Sequence, residues 1–215
     1  MQFKLLKLFK LLKQLKQYPM LESTNLSKSF GKMKALDGIS VRMNAGQAIS
    51  LVGPNGSGKT TFIKTIAGLL PPLSGAVKIG SGVHLGYMSQ EQTNLHPGDT
   101  PLAAVMRLMP SNETEVRSFL SKYLFKGDDV FTPVDSMSFG ERARLSLAQL
   151  VASGCNFLLL DEPINHLDIP ARASFEQALT QFAGTILAVV HDRYFISQFA
   201  TAVWQIKNGQ IQIIA

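Results

Sequence analysis

The sequence has a single cysteine, Cys155, in 215 residues, so no disulfide can form within the chain. One thiol in an apolar context fits a reducing cytosol and indicates a small buried hydrophobic residue. The sequence also lacks an uninterrupted apolar run of the ~18 residues that a membrane-spanning helix needs. Internal repeats are absent as well. These absences argue against a disulfide scaffold, a membrane-inserted chain and a repeat protein.

Acidic residues are missing from residues 1–19, which contain five lysines. The rest of the chain holds 16 basic and 15 acidic residues, so the net charge of +6 comes mainly from this segment. The lysines interrupt the apolar core that a secretion signal requires, which excludes a signal peptide. Pro19 is expected to end the segment.

The spacing of apolar and basic residues in this segment predicts an amphipathic helix from residue 7 onward. Its apolar face consists of Leu8, Leu11, Leu12 and Leu15, and the opposite face carries Lys7, Lys10 and Lys13. Three interpretations stay open: a helix that docks on another domain or partner, a basic arm for RNA or an anionic surface, and a terminus without a role.

The strongest local pattern is residues 53–60, Gly-Pro-Asn-Gly-Ser-Gly-Lys-Thr, between the apolar run 48–52 and a helix-like stretch from Thr61 to Leu69. Glycines let consecutive N–H groups point at a phosphate chain, and the start of a helix adds its positive dipole end. Lys59 supplies a charge for the β- and γ-phosphates, and Thr60 a hydroxyl for Mg²⁺. The expected ATP-binding residues here are Gly53, Pro54, Asn55, Gly56, Ser57, Gly58, Lys59, Thr60 and Thr61.

Four polar positions follow other predicted strands. The apolar run 157–160 suits a buried parallel strand and leads into Asp161 and Glu162, while Gln90 and His191 follow two further strands. Carboxyl ends of parallel strands lie at one edge of a sheet, so these residues should meet the phosphate loop. We expect Asp161 and Gln90 to act on Mg²⁺, Glu162 to be the general base, and His191 and Gln90 to orient the attacking water.

The length and 46% hydrophobic content suit one large α/β domain with a short appendage. Ser138 and Glu141 are in capping-box register, which predicts a helix start there. The remaining expected elements are strands at 21–30, 36–43, 76–79, 83–88 and 185–190, helices at 102–109, 113–125 and 171–182, a loop at 163–170, and a hairpin of strands 202–207 and 210–214 around Asn208-Gly209.

Taken together, these motifs resemble the nucleotide-binding domain of an ATP-binding cassette (ABC) protein. The matching features, in that family's order, are the phosphate loop, Gln90, residues 137–141, Asp161-Glu162, residues 165–168 and His191. The resemblance implies a P-loop NTPase fold with a mostly parallel core sheet, an antiparallel β subdomain and a small helical subdomain. It also implies ATP hydrolysis with Mg²⁺.

Residues 138–145, 161–170 and 191–196 are similar to the ABC-F branch, whose members are soluble ATPases that act on ribosomes as translation or antibiotic-resistance factors. By this resemblance Phe30, otherwise a plausible core residue, stacks on adenine. Ser138, Gly140 and Glu141 belong to the signature that caps ATP on an opposing domain, and Asp168 contributes to the contact between the two domains.

Two features depart from that pattern. Phe139 stands where the signature usually has glycine, and the chain has one ABC domain where ABC-F proteins usually have two in tandem. The expected division is a basic helix or linker remnant at 1–19 and an ABC domain at 20–215, with the helical subdomain at about 91–150. The chain is then a C-terminal half, a split gene product or a homodimerising half-protein.

Three functions follow from the sequence. The leading hypothesis is a cytoplasmic ABC-F ATPase that clamps ATP with a second ABC domain and works on the ribosome, with the lysines of the segment reinforcing contact with rRNA. The first alternative is the ATPase subunit of a membrane transporter. The second, suggested by Phe139, is an interaction module that binds ATP without hydrolysing it.

Overall fold

The computed structural model describes residues 19–90 and 95–214. The predicted amphipathic segment at 1–17 lies outside the described residues. Nine strands are present in the described part: β1 (Pro19–Phe30), β2 (Met33–Asn44), β3 (Ala48–Val52), β4 (Ser74–Ile79), β5 (Leu85–Met88), β6 (Phe157–Asp161), β7 (Thr185–Val189), β8 (Ala202–Lys207) and β9 (Gln210–Ile213). Its α-helices are α1 (Lys59–Ile66), α2 (Pro101–Met106), α3 (Glu113–Lys122), α4 (Phe139–Ala152), α5 (Ile169–Leu179) and α6 (Arg193–Phe199), with short 3₁₀ helices at Gly127–Phe131 and Val134–Ser136.

The larger sheet has the strand order β5-β6-β7-β3-β8-β9. Its first five strands are parallel, and β9 pairs antiparallel with β8 across the Asn208-Gly209 turn. Both turn residues have positive φ, 52° and 73°, as a tight hairpin turn requires. The prediction of a mostly parallel core sheet is confirmed.

The core strands are buried on both faces, which explains why their sequences are apolar without alternation. Every residue of β6 and β7 is buried. Leu158 and Leu160 face one core with helices α4 and α5, while Phe157 and Leu159 face a second core that includes Phe62 of α1.

The smaller sheet is antiparallel, in the order β2-β1-β4, and confirms the expected antiparallel unit. Its buried Leu21, Leu36 and Met43 share the second core with α1. Helix α1 is therefore held between two sheets, and its first residue follows the phosphate loop directly.

In the described residues between β5 and β6 the regular elements are helices. The prediction that these helices form a separate subdomain stays a prediction.

Several expected boundaries were wrong. Helix α1 ends at Ile66, and α2, α3 and α5 end at Met106, Lys122 and Leu179, three residues before their predicted ends. Helix α5 begins at Ile169, inside the predicted loop, because Asp168 caps it and Pro170 is tolerated in a first helical turn. Cys155 is half-buried rather than buried, with its Sγ 3.4 Å from the hydroxyl of Ser153.

Helix α6 was not predicted. Its start is capped by Asp192, whose side chain accepts a hydrogen bond of 2.9 Å from the backbone N–H of Phe195. Phe195 is buried and Phe199 stacks on it edge-on, one helical turn away. Among the described residues, none of the helices is both long enough and apolar enough to cross a bilayer.

Candidate functional site

The loop between β3 and α1 is tightly packed against the rest of the protein. Gly58 has φ 102°, and a Cβ on it would lie 2.3 Å from the carbonyl oxygen of Ala35 on β2. A Cβ on Gly53 would lie 2.3 Å from the carbonyl oxygen of Ile206 on β8. Both positions therefore require glycine, because any side chain would push the loop away from strands on either side.

Lys59 is held inside this loop. Its side chain is 5% exposed, and its Nζ donates hydrogen bonds to the carbonyl oxygens of Gly53, at 2.8 Å, and Pro54, at 2.9 Å. Burial lowers the pKa of Lys59, while the charges of Glu162 and Asp161 oppose that shift. The loop thus closes around a cation that an anionic ligand would stabilise.

A cavity of about 390 Å³ opens beside the loop. It is lined by Met33, Ala35, Asn55, Gly56, Gly58, Lys59, Thr60, Thr61 and Glu162. The buried hydroxyl of Ser57 has no hydrogen-bond partner among residues 19–90 and 95–214. Since buried polar atoms are normally paired, this orphaned hydroxyl beside a lysine and the start of α1 fits a phosphate-binding loop.

Asp161 lies next to Thr60. The Thr60 hydroxyl donates a hydrogen bond of 3.1 Å to Asp161 Oδ1, and the Tyr87 hydroxyl donates one of 3.2 Å to Oδ2. Asp161 is 3% exposed, and this burial raises its pKa, against the opposing effect of the two hydrogen bonds. Burial, followed by the charge of Asp161, also raises the pKa of Tyr87.

The oxygen atoms of Thr60 and Asp161 fit a Mg²⁺ ion shared with phosphate oxygens. Among the described residues, no group of three or more His, Cys, Asp or Glu side chains could hold a metal ion by itself. A ligand phosphate would therefore have to complete the coordination.

Glu162 lies at the edge of the cavity in a constrained position. Its φ is 54°, which is uncommon for a residue with a side chain. The Asn165 side-chain amide donates a hydrogen bond to Glu162 Oε2, and His191 Nε2 lies 3.6 Å from Oε1. The sequence prediction that Glu162 and His191 come together is thus met in the structure. Asn165 had been identified only as part of residues 165–168, and its contact with Glu162 was not predicted.

Gln90 is exposed beyond the end of β5, at the same edge of the sheet, and its action on metal or water stays a prediction.

Phe30 is 47% exposed at the end of β1, with Lys28 Nζ 5.6 Å from its ring centroid. Phe30 does not line the cavity. The cavity is lined instead by Met33, which pairs with Phe30 in the β1–β2 ladder. The adenine-stacking role of Phe30 stays a prediction, and sequence reasoning missed Met33.

The signature segment begins helix α4 with a complete capping box. The Ser138 hydroxyl accepts a hydrogen bond of 3.3 Å from the Glu141 N–H, and the Ser138 N–H donates one of 2.8 Å to Glu141 Oε2. Gly140 is buried, and a Cβ on it would lie 2.6 Å from Ala171 Cβ on α5. Close packing of α4 on α5 is thus a second reason for this glycine.

Phe139 turns toward its own domain. Its half-buried ring packs against the hydrophobic core and meets the ring of His166 edge-on, with centroids 6.2 Å apart. The guanidinium of Arg142 lies 5.8 Å from the Phe139 centroid. Asp168 is exposed nearby and caps α5 through a hydrogen bond of 2.8 Å from the Ala171 N–H.

Comparison with known proteins agrees with this arrangement. Residues 36–165 match the family described as "ABC transporter". The chain is 44% identical over 175 residues to "Putative ATP-binding protein YdiF" of Bacillus subtilis (strain 168), covering 81% of this chain and 27% of that protein. It is 36% identical over 199 residues to "Energy-dependent translational throttle protein EttA" of Escherichia coli (strain K12), covering 90% of this chain and 36% of that protein.

The fold is similar to a solved structure described as "Dimeric structure of a post-hydrolysis state of the ATP-binding cassette MJ0796 bound to ADP and Pi". The TM-score is 0.75 with 21% sequence identity, covering 90% of this chain and 97% of that one. The chain belongs to the ATP-binding cassette family. The relatives confirm the prediction that it is an ABC-F type cassette. The chain spans only about a third of the length of these relatives.

Proposed function

We propose that this chain binds ATP with Mg²⁺ in the cavity beside the phosphate loop and hydrolyses it. The observation that carries the proposal is the meeting of Lys59, the Thr60–Asp161 pair and Glu162 around one cavity. The loop N–H groups and Lys59 bind the phosphates, and Thr60 and Asp161 hold the Mg²⁺, which supplies charge neutralisation when bound.

Glu162 is the general base in this proposal. Its Oε2 accepts a hydrogen bond from Asn165, which leaves Oε1, on the side of His191, to accept a proton from water. The positive φ of Glu162 turns its side chain away from the direction that a β-strand continuation would give it, toward the cavity. Asn165 and His191 are positioning residues for this carboxylate.

The test is the Glu162→Gln variant, because glutamine keeps the size of the side chain and its hydrogen bond with Asn165 while losing the base. Steady-state ATPase turnover should fall by about 10²- to 10³-fold, with ATP affinity within about threefold of wild type. Glu115→Gln, an exposed change on α3, is the matched control and should leave turnover unaltered. Unchanged turnover in Glu162→Gln would remove Glu162 from the base role.

A second ABC domain completes the site in this proposal. Ser138, Asp168 and the 82% exposed side chain of Ile169 lie at the exposed starts of α4 and α5, where another domain could contact them. The MJ0796 cassette, named as dimeric, supports such pairing. The inward packing of Phe139 also favours an active signature over a non-hydrolysing module, because the ring leaves the start of α4 accessible to phosphate.

We further propose that the chain acts in the cytoplasm on the ribosome, in a translation or antibiotic-resistance role. The name of EttA, a translational throttle, supports this role. The description of the matched family as "ABC transporter" supports the alternative of a transporter ATPase subunit. Sedimentation of the Glu162→Gln chain with ATP separates them: we expect co-pelleting with purified 70S ribosomes and not with membrane vesicles, and the reverse would favour the transporter subunit.

A further inference from the structure

A second cavity, of about 490 Å³, lies at the opposite edge of the large sheet from the phosphate loop. Ala48, the first residue of β3, and Ile186, near the start of β7, form part of its wall. The aromatic side of the cavity consists of Phe182, three residues after the end of α5, and of Phe195 and Phe199 from α6. We call this cavity the rear groove. Nothing in the nucleotide site described above uses it.

The chain enters the described structure close to the rear groove. Pro19 pairs with Asn44 in the β1–β2 ladder, and Gly46, two residues after Asn44, lines the groove. The Gly46 N–H donates a hydrogen bond of 2.9 Å to the Thr185 hydroxyl, which fixes this turn at the start of β7. Since paired Cα atoms are about 5 Å apart and two residues span at most about 7 Å, Pro19 lies within about 12 Å of the groove wall.

The sequence of residues 1–17 has leucines at helical spacing, close along the chain to the groove. Leu8 to Leu15 would span about 10 Å as a helix, and the residues between Leu15 and Pro19 can reach about 14 Å when extended. In a helix these leucines would share one face, so docking them would bury apolar surface on both sides and leave Lys7, Lys10 and Lys13 in solvent. Glu176, an acid on the groove wall, complements the positive charge of the segment.

We propose that residues 1–17 fold back on the rear groove and dock the leucine stripe (Leu8, Leu11, Leu12 and Leu15) in it. The groove is built from α5 and α6, whose first turns are capped by Asp168 and Asp192 beside the nucleotide site. The docked segment therefore rests on the two helices that connect one edge of the sheet with the other. This inference does not depend on ATP hydrolysis.

Tryptic cleavage of the full chain tests the proposal, because docking would hold the backbone of the segment in a helix, which trypsin cleaves slowly even where the lysine side chains are in solvent. Ala173→Arg places a bulky cation at an exposed position on the groove wall, and Ser118→Arg is the matched exposed helix position away from it. We expect the initial rate of cleavage after Lys7, Lys10 and Lys13 to rise about tenfold in Ala173→Arg and to stay at the wild-type value in Ser118→Arg.

The double variant Leu11→Ser, Leu12→Ser gives a second measurement that leaves the groove intact. It should show the same faster cleavage, and amide hydrogen exchange of residues 182–186 and 195–199 should accelerate with it. Wild-type cleavage as fast as that of Ala173→Arg would overturn the proposal. So would protection that rises with protein concentration, which assigns the stripe to a second copy, or protection that requires added RNA.

Discussion

Asp161, a residue of the proposed Mg²⁺ site, is a buried carboxylate whose burial lowers the stability of the ligand-free chain at neutral pH. Its carboxylate is 3% exposed and accepts hydrogen bonds from Thr60 and Tyr87. Burial raises its pKa above the value of the unfolded chain, so the folded protein binds more protons in the interval between the two values. The contribution of Asp161 to the free energy of unfolding is therefore greatest at low pH and is lost as the pH rises through the pKa that Asp161 has in the folded protein.

We predict that Asp161→Asn stabilises the ligand-free chain at pH 7 while removing its response to Mg²⁺. Asparagine can still accept the hydrogen bond from Thr60 but has no charge to desolvate. Scanning calorimetry should show a higher Tm than wild type at pH 7 and a smaller difference at pH 4. The exposed Asp128→Asn is the control, and a lower Tm for Asp161→Asn at pH 7 would contradict the argument.

Residues that hold the acidic pair in place were the ones that sequence reasoning missed. Tyr87 contacts Asp161 across two neighbouring strands, and Asn165 contacts Glu162 across a turn. Tyr87 belongs to no recognised motif, and the family-like residues 165–168 include Asn165 without assigning it a contact with Glu162. An additional ion pair, Arg172 to Asp192 at 3.1 Å, joins α5 to the start of α6 beside His191. These contacts depend on strand order and loop geometry, which spacing alone does not specify.

At the scale of elements, the close contact of α4 with α5 requires a residue without a side chain at Gly140. The start of each helix carries a residue assigned to the contact with a second domain, Ser138 on α4 and Asp168 on α5. A Cβ at position 140 would meet Ala171 Cβ at 2.6 Å, so any larger residue would push the two helix starts apart. The relative placement of Ser138 and Asp168 thus depends on this glycine.

We predict that Gly140→Ala lowers the free energy of unfolding by about 1–3 kcal/mol through overpacking. Ala171→Gly in the same chain removes the clashing methyl group, so the double variant should recover part of this loss. The recovery is incomplete because glycine at position 171 itself destabilises α5 by up to about 1 kcal/mol. Urea denaturation of the four chains of this double-mutant cycle measures the coupling. Additive effects would show that the two positions do not clash.

At the scale of the whole molecule, the exposed starts of α4 and α5, at Ser138 and Ile169, lie on the side of the proposed nucleotide site. A single domain would leave ATP bound there open to water. A second domain would cover the γ-phosphate with the start of its own α4. In the arrangement that we propose, ATP would hold two domains together, and its hydrolysis would release them.

We therefore predict that the Glu162→Gln chain doubles its mass in sedimentation velocity when ATP and Mg²⁺ are added at micromolar protein concentration. Lys59→Ala is the control, since loss of the buried ammonium weakens phosphate binding while Glu162 is kept. A monomer under all conditions would mean that pairing needs a different second domain rather than another copy of this chain.

The sequence by itself determined the local parts of this protein: the glycine loop, the capping box of Ser138 and Glu141, the Asn208-Gly209 hairpin, and the apolar strands that end in site residues. Each of these depends on a few neighbouring residues, whose backbone preferences and burial pattern are local properties. Because unbroken apolar strands are typical of a parallel sheet, the sequence also predicted the sheet correctly. It likewise predicted the edge of that sheet where Asp161 and the phosphate loop meet.

Only the tertiary structure decided what touches what across that edge. It placed Tyr87 on Asp161, turned Phe139 inward against His166, and left a rear groove beside the entry of the chain at Pro19. These outcomes are set by long-range packing, in which residues far apart in sequence compete for the same space, and no local pattern encodes the result.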